Sequence, residues 1–194
     1  HHTINSILKQ KEKILNKKNS LIFLDFPDYH LAVDDFSADV KAHNYGLKKL
    51  NNSIQNFFSK FDYDDFDEIF IFSDHGCKFS NDKEKIFKNI DDKRSKVLMF
   101  HRSKAQESFE INNKLCSILD IFPTLYEKIE NKINHKFEGV NLFSTIEKEI
   151  VIEDCTSFIP KLNQINNLWA IRTKNTFHIF YNNKIYKKNL INLE

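Results

Sequence analysis

The residues with chemistry to offer lie at the ends of apolar runs. Glu68-Ile69-Phe70-Ile71-Phe72 passes directly into Ser73-Asp74-His75-Gly76, which sets a carboxylate beside an imidazole on a turn. Both groups ligate divalent cations, and Gly76 allows the sharp bend that would let one cation sit between them. Three other runs end in residues of the same kind. Leu21-Ile22-Phe23-Leu24 leads into a polar loop, Asp25 to His30, that carries Asp28 and His30. Lys96-Val97-Leu98-Met99-Phe100 ends at His101-Arg102, and Glu149-Ile150-Val151-Ile152 ends at Glu153-Asp154. If the four runs are parallel strands, their tips share one edge, where open α/β sheets bind ligands. Taken singly, most of these residues have plainer accounts. An acidic strand end is commonplace, so Glu153-Asp154 reads as structure. A histidine just after a strand is often a surface residue, which covers His101, and His30 is balanced between a loop contact and a ligand. The adjacent Asp74-His75 pair is the exception. His2, His43, His135 and His178 fall in helical, loop or edge contexts and receive no role.

Those tips need a scaffold, and hydrophobic periodicity outlines one. Residues 3 to 18 carry apolar positions at helical spacing on a lysine-rich background, which predicts a leading amphipathic helix. Leu47, Leu50, Ile54, Phe57 and Phe58 predict a second helix over about 45 to 58. Ile118, Leu119, Phe122 and Leu125 predict another from Ile111 until Pro123 interrupts it. The continuous apolar runs fit strands buried on both faces. From Trp169 to Tyr186 the pattern alternates, with a break near Asn175, which predicts an antiparallel β-hairpin at a sheet edge. Together these give one α/β domain over 1–194, with a mostly parallel sheet flanked by helices and a C-terminal antiparallel hairpin. Within it, 1–19 is the leading helix, 20–150 the α/β part with the strand tips, and 151–194 the last strand and hairpin.

Composition removes several function classes. The 194 residues include 29 basic and 27 acidic side chains, a net charge of +2, which gives no electrostatic case for nucleic acid. Only 3 glycines stand against 19 phenylalanines, and no GxGxxG or GxxxxGK[ST] pattern occurs, so a glycine-built nucleotide loop is not expected. Cys77, Cys116 and Cys155 are far apart and match neither zinc-ligand spacing nor a disulfide framework. Odd, unpaired thiols and the absence of an export signal in these residues favour the cytoplasm. No apolar run reaches the length of a membrane span.

The same segments resemble the sulfatase family of the alkaline phosphatase superfamily, from about residue 20 to the end. Phe70 to Gly76 resembles the family's strand and metal-binding turn, and Leu119-Asp120-Ile121-Phe122-Pro123-Thr124-Leu125 is similar to its Asp-Ile-Phe-Pro-Thr-Leu helix. Gly139-Val140-Asn141-Leu142 resembles its Gly-x-Ser-Leu connector, and Ala170-Ile171-Arg172-Thr173 with Ile185-Tyr186 onward its C-terminal hairpin and ending. The resemblance implies an alkaline-phosphatase-like fold lacking its N-terminal part, and a divalent metal (Zn, Mn, Mg or Ca) held by Asp74 and His75. It implies that His30, within Asp28-Tyr29-His30, contacts the anionic group of the substrate or a second metal. His101 sits where phosphodiesterase-like relatives place a zinc histidine, whereas sulfatases proper have an apolar strand there. The implied function is a metal-dependent hydrolase or transferase of sulfate or phosphate esters, with a glycan or lipid head group as the carrier of the ester. Two departures stand out. No Cys-x-Pro-x-Arg or equivalent nucleophile context is present, and the lysine and Gly-Gly-Arg segment of sulfatases is missing. The chain is therefore expected to be a fragment or half-domain whose nucleophile lies upstream, completed by an N-terminal half or a second copy. The other class it fits is a non-catalytic sulfatase-like binding or assembly module.

Overall fold

A computed structural model describes residues 9, 11–16, 20–35, 39–76, 90, 92–132, 136–153, 168–181 and 183–190. Their contacts divide into two compact units that interleave in sequence. The first comprises His1–Ile69, Phe79–Asp82 and His101–Glu107, and the second Phe70–Lys78, Lys83–Phe100 and Ser108–Glu194.

In the first unit, helix α1 (Lys11–Leu15) is the described part of the expected leading helix. Helices α2 (Asp28–Asp35) and α3 (Val40–Phe58) pack on each other. The start of α3 is set by Asp39, whose carboxylate accepts the Ala42 N–H at 2.8 Å. Its buried face carries Ala42, His43, Gly46 and Phe57. Phe57 then stacks on Phe61 (centroids 4.7 Å) and reaches Phe66, closing an aromatic cluster beneath the 3-10 turn Tyr63–Asp65. That turn is fastened by a reciprocal cap between Asp62 and Asp65.

Strand β1 (Glu68–Phe72) falls where the apolar run predicts it, and β2 (Met99–Ser103) lies a few residues beyond its expected start. They pair with each other, in a two-stranded sheet. Ser73 N–H donates to Leu98 O at one end (3.1 Å) and Lys104 N–H to Asp67 O at the other (2.8 Å), so the pair is antiparallel. The mostly parallel sheet expected from the apolar runs is thus not what the described strands form. Leu21 to Leu24 also departs from its expected strand: residues 20–26 belong to no helix or strand, and Leu21 and Phe23 stay exposed. Asp28 to His30, expected as a loop, instead opens α2. Pro27 precedes it and takes the Leu31 N–H on its carbonyl (3.0 Å), starting the helix where a proline is tolerated.

In the second unit, α4 (Asp92–Ser95) is a single turn. A 3-10 turn, Ile118–Asp120, runs into α5 (Ile121–Glu130). The expected helix from Ile111 to Pro123 is displaced: Pro123 lies in the first turn of α5 and begins it rather than ending it. Strands β3 (Ile150–Glu153), β4 (Trp169–Arg172), β5 (Thr176–Tyr181) and β6 (Lys184–Asn189) form one antiparallel sheet in sequential order. The predicted hairpin is its β4–β5 centre, with Ala170 opposite Ile179. Ala170, Phe177 and Ile179 are buried with Ile90, and Ile152, Leu168 and Leu190 pack against them. The described residues make an α/β protein with two antiparallel sheets, one of two strands and one of four.

Candidate metal centre

The Ser73-Asp74-His75-Gly76 turn is tied down on all sides within the second unit. Ser73 exchanges two hydrogen bonds with Leu98, its N–H donating to the carbonyl (3.1 Å) and its Oγ accepting the Leu98 N–H (3.0 Å). Gly76 N–H donates to Arg94 O at 2.6 Å. A methyl on Gly76 would overlap the Lys93 carbonyl oxygen and meet that of Lys96 at 2.5 Å, so only glycine fits against α4.

The fixed backbone presents two side chains. Asp74 is 83% exposed, with Oδ1 accepting the His75 N–H at 2.9 Å. His75 Nδ1 lies 2.8 Å from Gly76 O, so in the neutral ring Nδ1 carries the proton and Nε2 the lone pair. This is how a metal-binding histidine is commonly oriented, by a carbonyl on its other nitrogen. Nε2 in turn lies 3.6 Å from Asp74 Oδ2. Two donors about 2.0–2.2 Å from a tetrahedral cation stand roughly 3.3–3.6 Å apart, so the pair is spaced to bracket one ion. With the ring protonated, the same two atoms form an ion pair. Among the described residues, no group of three histidine, cysteine or acidic side chains gathers to enclose a cation.

The other predicted residues lie elsewhere. His30 is the third residue of α2, exposed, in the first unit. His101, on β2, does not come to the Asp74 turn. Its Nε2 lies 2.6 Å from Glu68 Oε2, and Ser103 Oγ donates to the other oxygen of the same carboxylate at 3.0 Å. The cause is strand direction. Antiparallel pairing carries His101 and Ser103 back toward the start of β1, whereas parallel strands would have gathered the tips. Glu153 ends β3, exposed, and Asp154, Cys77 and Cys155 lie outside the described residues.

Two roles were missed in the sequence. His43 is buried and hydrogen-bonds through Nδ1 to the Tyr29 hydroxyl, joining α2 to α3. Its position on the apolar stripe of α3 was the available signal. Asp120 is also buried. Its Oδ2 accepts the Ser117 N–H (2.8 Å), its Oδ1 the Val140 N–H (2.9 Å), and Lys148 pairs with both oxygens. Thr124 Oγ donates to Asp120 O (2.6 Å) and accepts the Leu142 N–H (2.9 Å), while Asn141 reaches Glu127 at 2.6 Å. The two phrases Asp-Ile-Phe-Pro-Thr-Leu and Gly-Val-Asn-Leu are therefore one hydrogen-bonded unit. A methyl on Gly139 would overlap Leu119 O and meet Asp120 N at 2.9 Å. Burial pushes the neighbouring Cys116 thiol pKa up, the Asp120 charge adds to this, and Lys148 partly offsets it.

Comparison with protein-family models, with characterised proteins and with solved structures found no match to this chain.

Proposed function

We propose that these residues carry the metal-holding part of a divalent-metal-dependent hydrolase or transferase of sulfate or phosphate esters, of sulfatase-like descent. The observation that carries this is the Asp74-His75 turn, with its 3.6 Å donor spacing and the carbonyl-oriented imidazole. The bonded unit around Asp120 lends support, because the two phrases that resemble the family's later markers fold against each other. The antiparallel β1–β2 pair counts against a parallel sheet over those residues, so an alkaline-phosphatase-like arrangement rests on the turn, the Asp120 unit and the C-terminal sheet.

In this reading Asp74 and His75 hold the cation. A bound divalent cation would activate the nucleophile and neutralise charge on the non-bridging oxygens. The nucleophile comes from outside these residues, since no cysteine here has the Cys-x-Pro-x-Arg context. Without the sulfatase lysine segment, phosphoryl chemistry is favoured over sulfuryl. A binding or assembly module is the second reading, favoured by Leu21 and Phe23, which are 73% and 76% exposed on a segment outside any helix or strand.

Calorimetric titration with zinc, manganese, magnesium and calcium tests the site in wild type, Asp74→Ala and His75→Ala. One cation is expected to bind, with each substitution weakening it at least about tenfold. No binding to wild type, or equal binding in all three proteins, removes the metal centre. A cation bound with no ester chemistry in any longer form of the protein would favour the assembly module.

A further inference from the structure

The four-stranded sheet of the second unit ends in two open edges among the described residues, β3 on one side and β6 on the other. Two hydrogen bonds fix which backbone groups point away from it. Leu190 N–H donates to Asn175 O and Thr173 N–H to Thr176 O, each at 2.9 Å. In an antiparallel ladder, bonded pairs alternate with pairs whose N–H and C=O turn to the other side. Carried along the register, Lys184, Tyr186 and Lys188 bond toward β5, so Ile185, Lys187 and Asn189 turn their backbone groups outward. By the same count Ile150 and Ile152 bond toward β4, which leaves Val151 and Glu153 outward on β3. Neither strand contains a proline, a glycine or a break in register that would blunt its edge. Among the described residues, Val151, Glu153, Ile185, Lys187 and Asn189 find no partner on that side.

The two edges also carry opposite charge. Strand β6 holds Lys184, Lys187 and Lys188 with no acidic residue, and all six of its positions are exposed. At the other edge Glu149 and Glu153 stand on either side of Val151, all three exposed. Each edge has one bare apolar residue, Val151 at 59% and Ile185 at 65% exposure. Lysines on an edge strand are by themselves an ordinary guard against aggregation. Here, however, the opposite edge of the same sheet supplies the matching anions. We infer that copies of this chain associate head to tail, with β6 of one pairing antiparallel to β3 of the next. Setting Ile185 against Val151 of the next copy brings Lys187 against its Glu149, apolar on apolar and cation on anion on one face of the extended sheet. Pairing β6 with β6 would oppose lysines, and β3 with β3 would oppose glutamates, so like edges reject each other. Because each copy uses two different edges, the contact is heterologous and builds a ring or an open chain rather than a closed pair. The Asp74-His75 turn takes no part, so this inference stands whether or not that turn binds a cation.

Sedimentation velocity of the full chain at low salt, over a wide range of protein concentration, tests it. Wild type is expected to form a concentration-dependent series extending past the dimer, and to return toward monomer as salt screens the charges. Glu149→Lys/Glu153→Lys makes both edges basic, and Lys184→Glu/Lys187→Glu makes both acidic. Each double variant alone should be monomeric, and an equal mixture of the two should associate again. All four positions are exposed, so circular dichroism of both variants should match wild type. Ile185→Pro removes one outward N–H without changing charge or any bond to β5, and it should abolish association as well. A wild type that stays monomeric at low salt overturns the inference. So does association that survives either charge reversal, a mixture that fails to reassemble, or an Ile185→Pro protein that associates like wild type.

Discussion

Asp74 and His75 owe their geometry to a neighbour with no side chain. The Ser73 and Gly76 hydrogen bonds fix the backbone, and the Gly76 carbonyl turns the imidazole so that Nε2 faces Asp74 Oδ2. Gly76→Ala forces a methyl into the Lys93 and Lys96 carbonyls, an overpacking that costs about 1–3 kcal/mol. Urea unfolding should show that loss, and cation binding should fall with it although neither ligand has changed. Cys116 gives a second test at this scale. Its folded thiol holds its proton above the ordinary value of 9.0, chiefly through burial and then through Asp120. The unfolded thiol ionises first as pH rises, so the stabilisation is complete below that value and is lost as pH climbs through the higher folded one. The stability gap between wild type and Cys116→Ala, measured by denaturation from neutral pH into the alkaline range, should therefore narrow. A gap that widens would reverse the sign of the shift.

The Asp120 unit shows what the elements hold, and how. Asp120 joins the turn before α5, the connector at Val140 and the Lys148 side chain. Replacing Lys148 by Met leaves a buried carboxylate without its cation, a loss of about 3–5 kcal/mol. Asp120→Asn together with Lys148→Met removes both charges and should be less harmful than Lys148→Met alone, a comparison that chemical denaturation of the two proteins makes directly. The sequence carried this unit as motif order but not as a mechanism, because hydrogen bonds across about twenty residues leave no periodicity. What periodicity does reveal is local. The apolar faces of α3 and the alternation of β4 and β5 were legible, and β1 was found to the residue. Strand direction was not. Continuous apolar runs such as Ile69-Phe70-Ile71-Phe72 look alike whether their partner is parallel or antiparallel, and this misplaced His101 at a shared edge instead of beside Glu68. Leu21 to Leu24 has strand composition but no ladder among the described residues, since a ladder depends on a partner that local sequence does not specify.

For the whole molecule, the question is whether these residues suffice for turnover once a cation is bound. The net charge of +2 supplies no general field for drawing an anionic ester, so binding would depend on local groups such as Asp74 and His75 with their cation. Attack on a sulfate or phosphate ester also needs a nucleophile made strong by a lowered pKa or by a neighbouring base. The thiol of Cys116 has the opposite property, because burial beside Asp120 keeps it protonated. Chemistry and cation binding should therefore separate in this chain. With zinc, manganese or magnesium added, 4-nitrophenyl phosphate and 4-nitrophenyl sulfate should hydrolyse no faster than in matched metal solutions, while calorimetry still registers one bound ion. Turnover that disappears in Asp74→Ala yet survives in Cys116→Ala would locate a serine, threonine or metal-bound water nucleophile within these 194 residues, and the assignment of the nucleophile to another segment would fail.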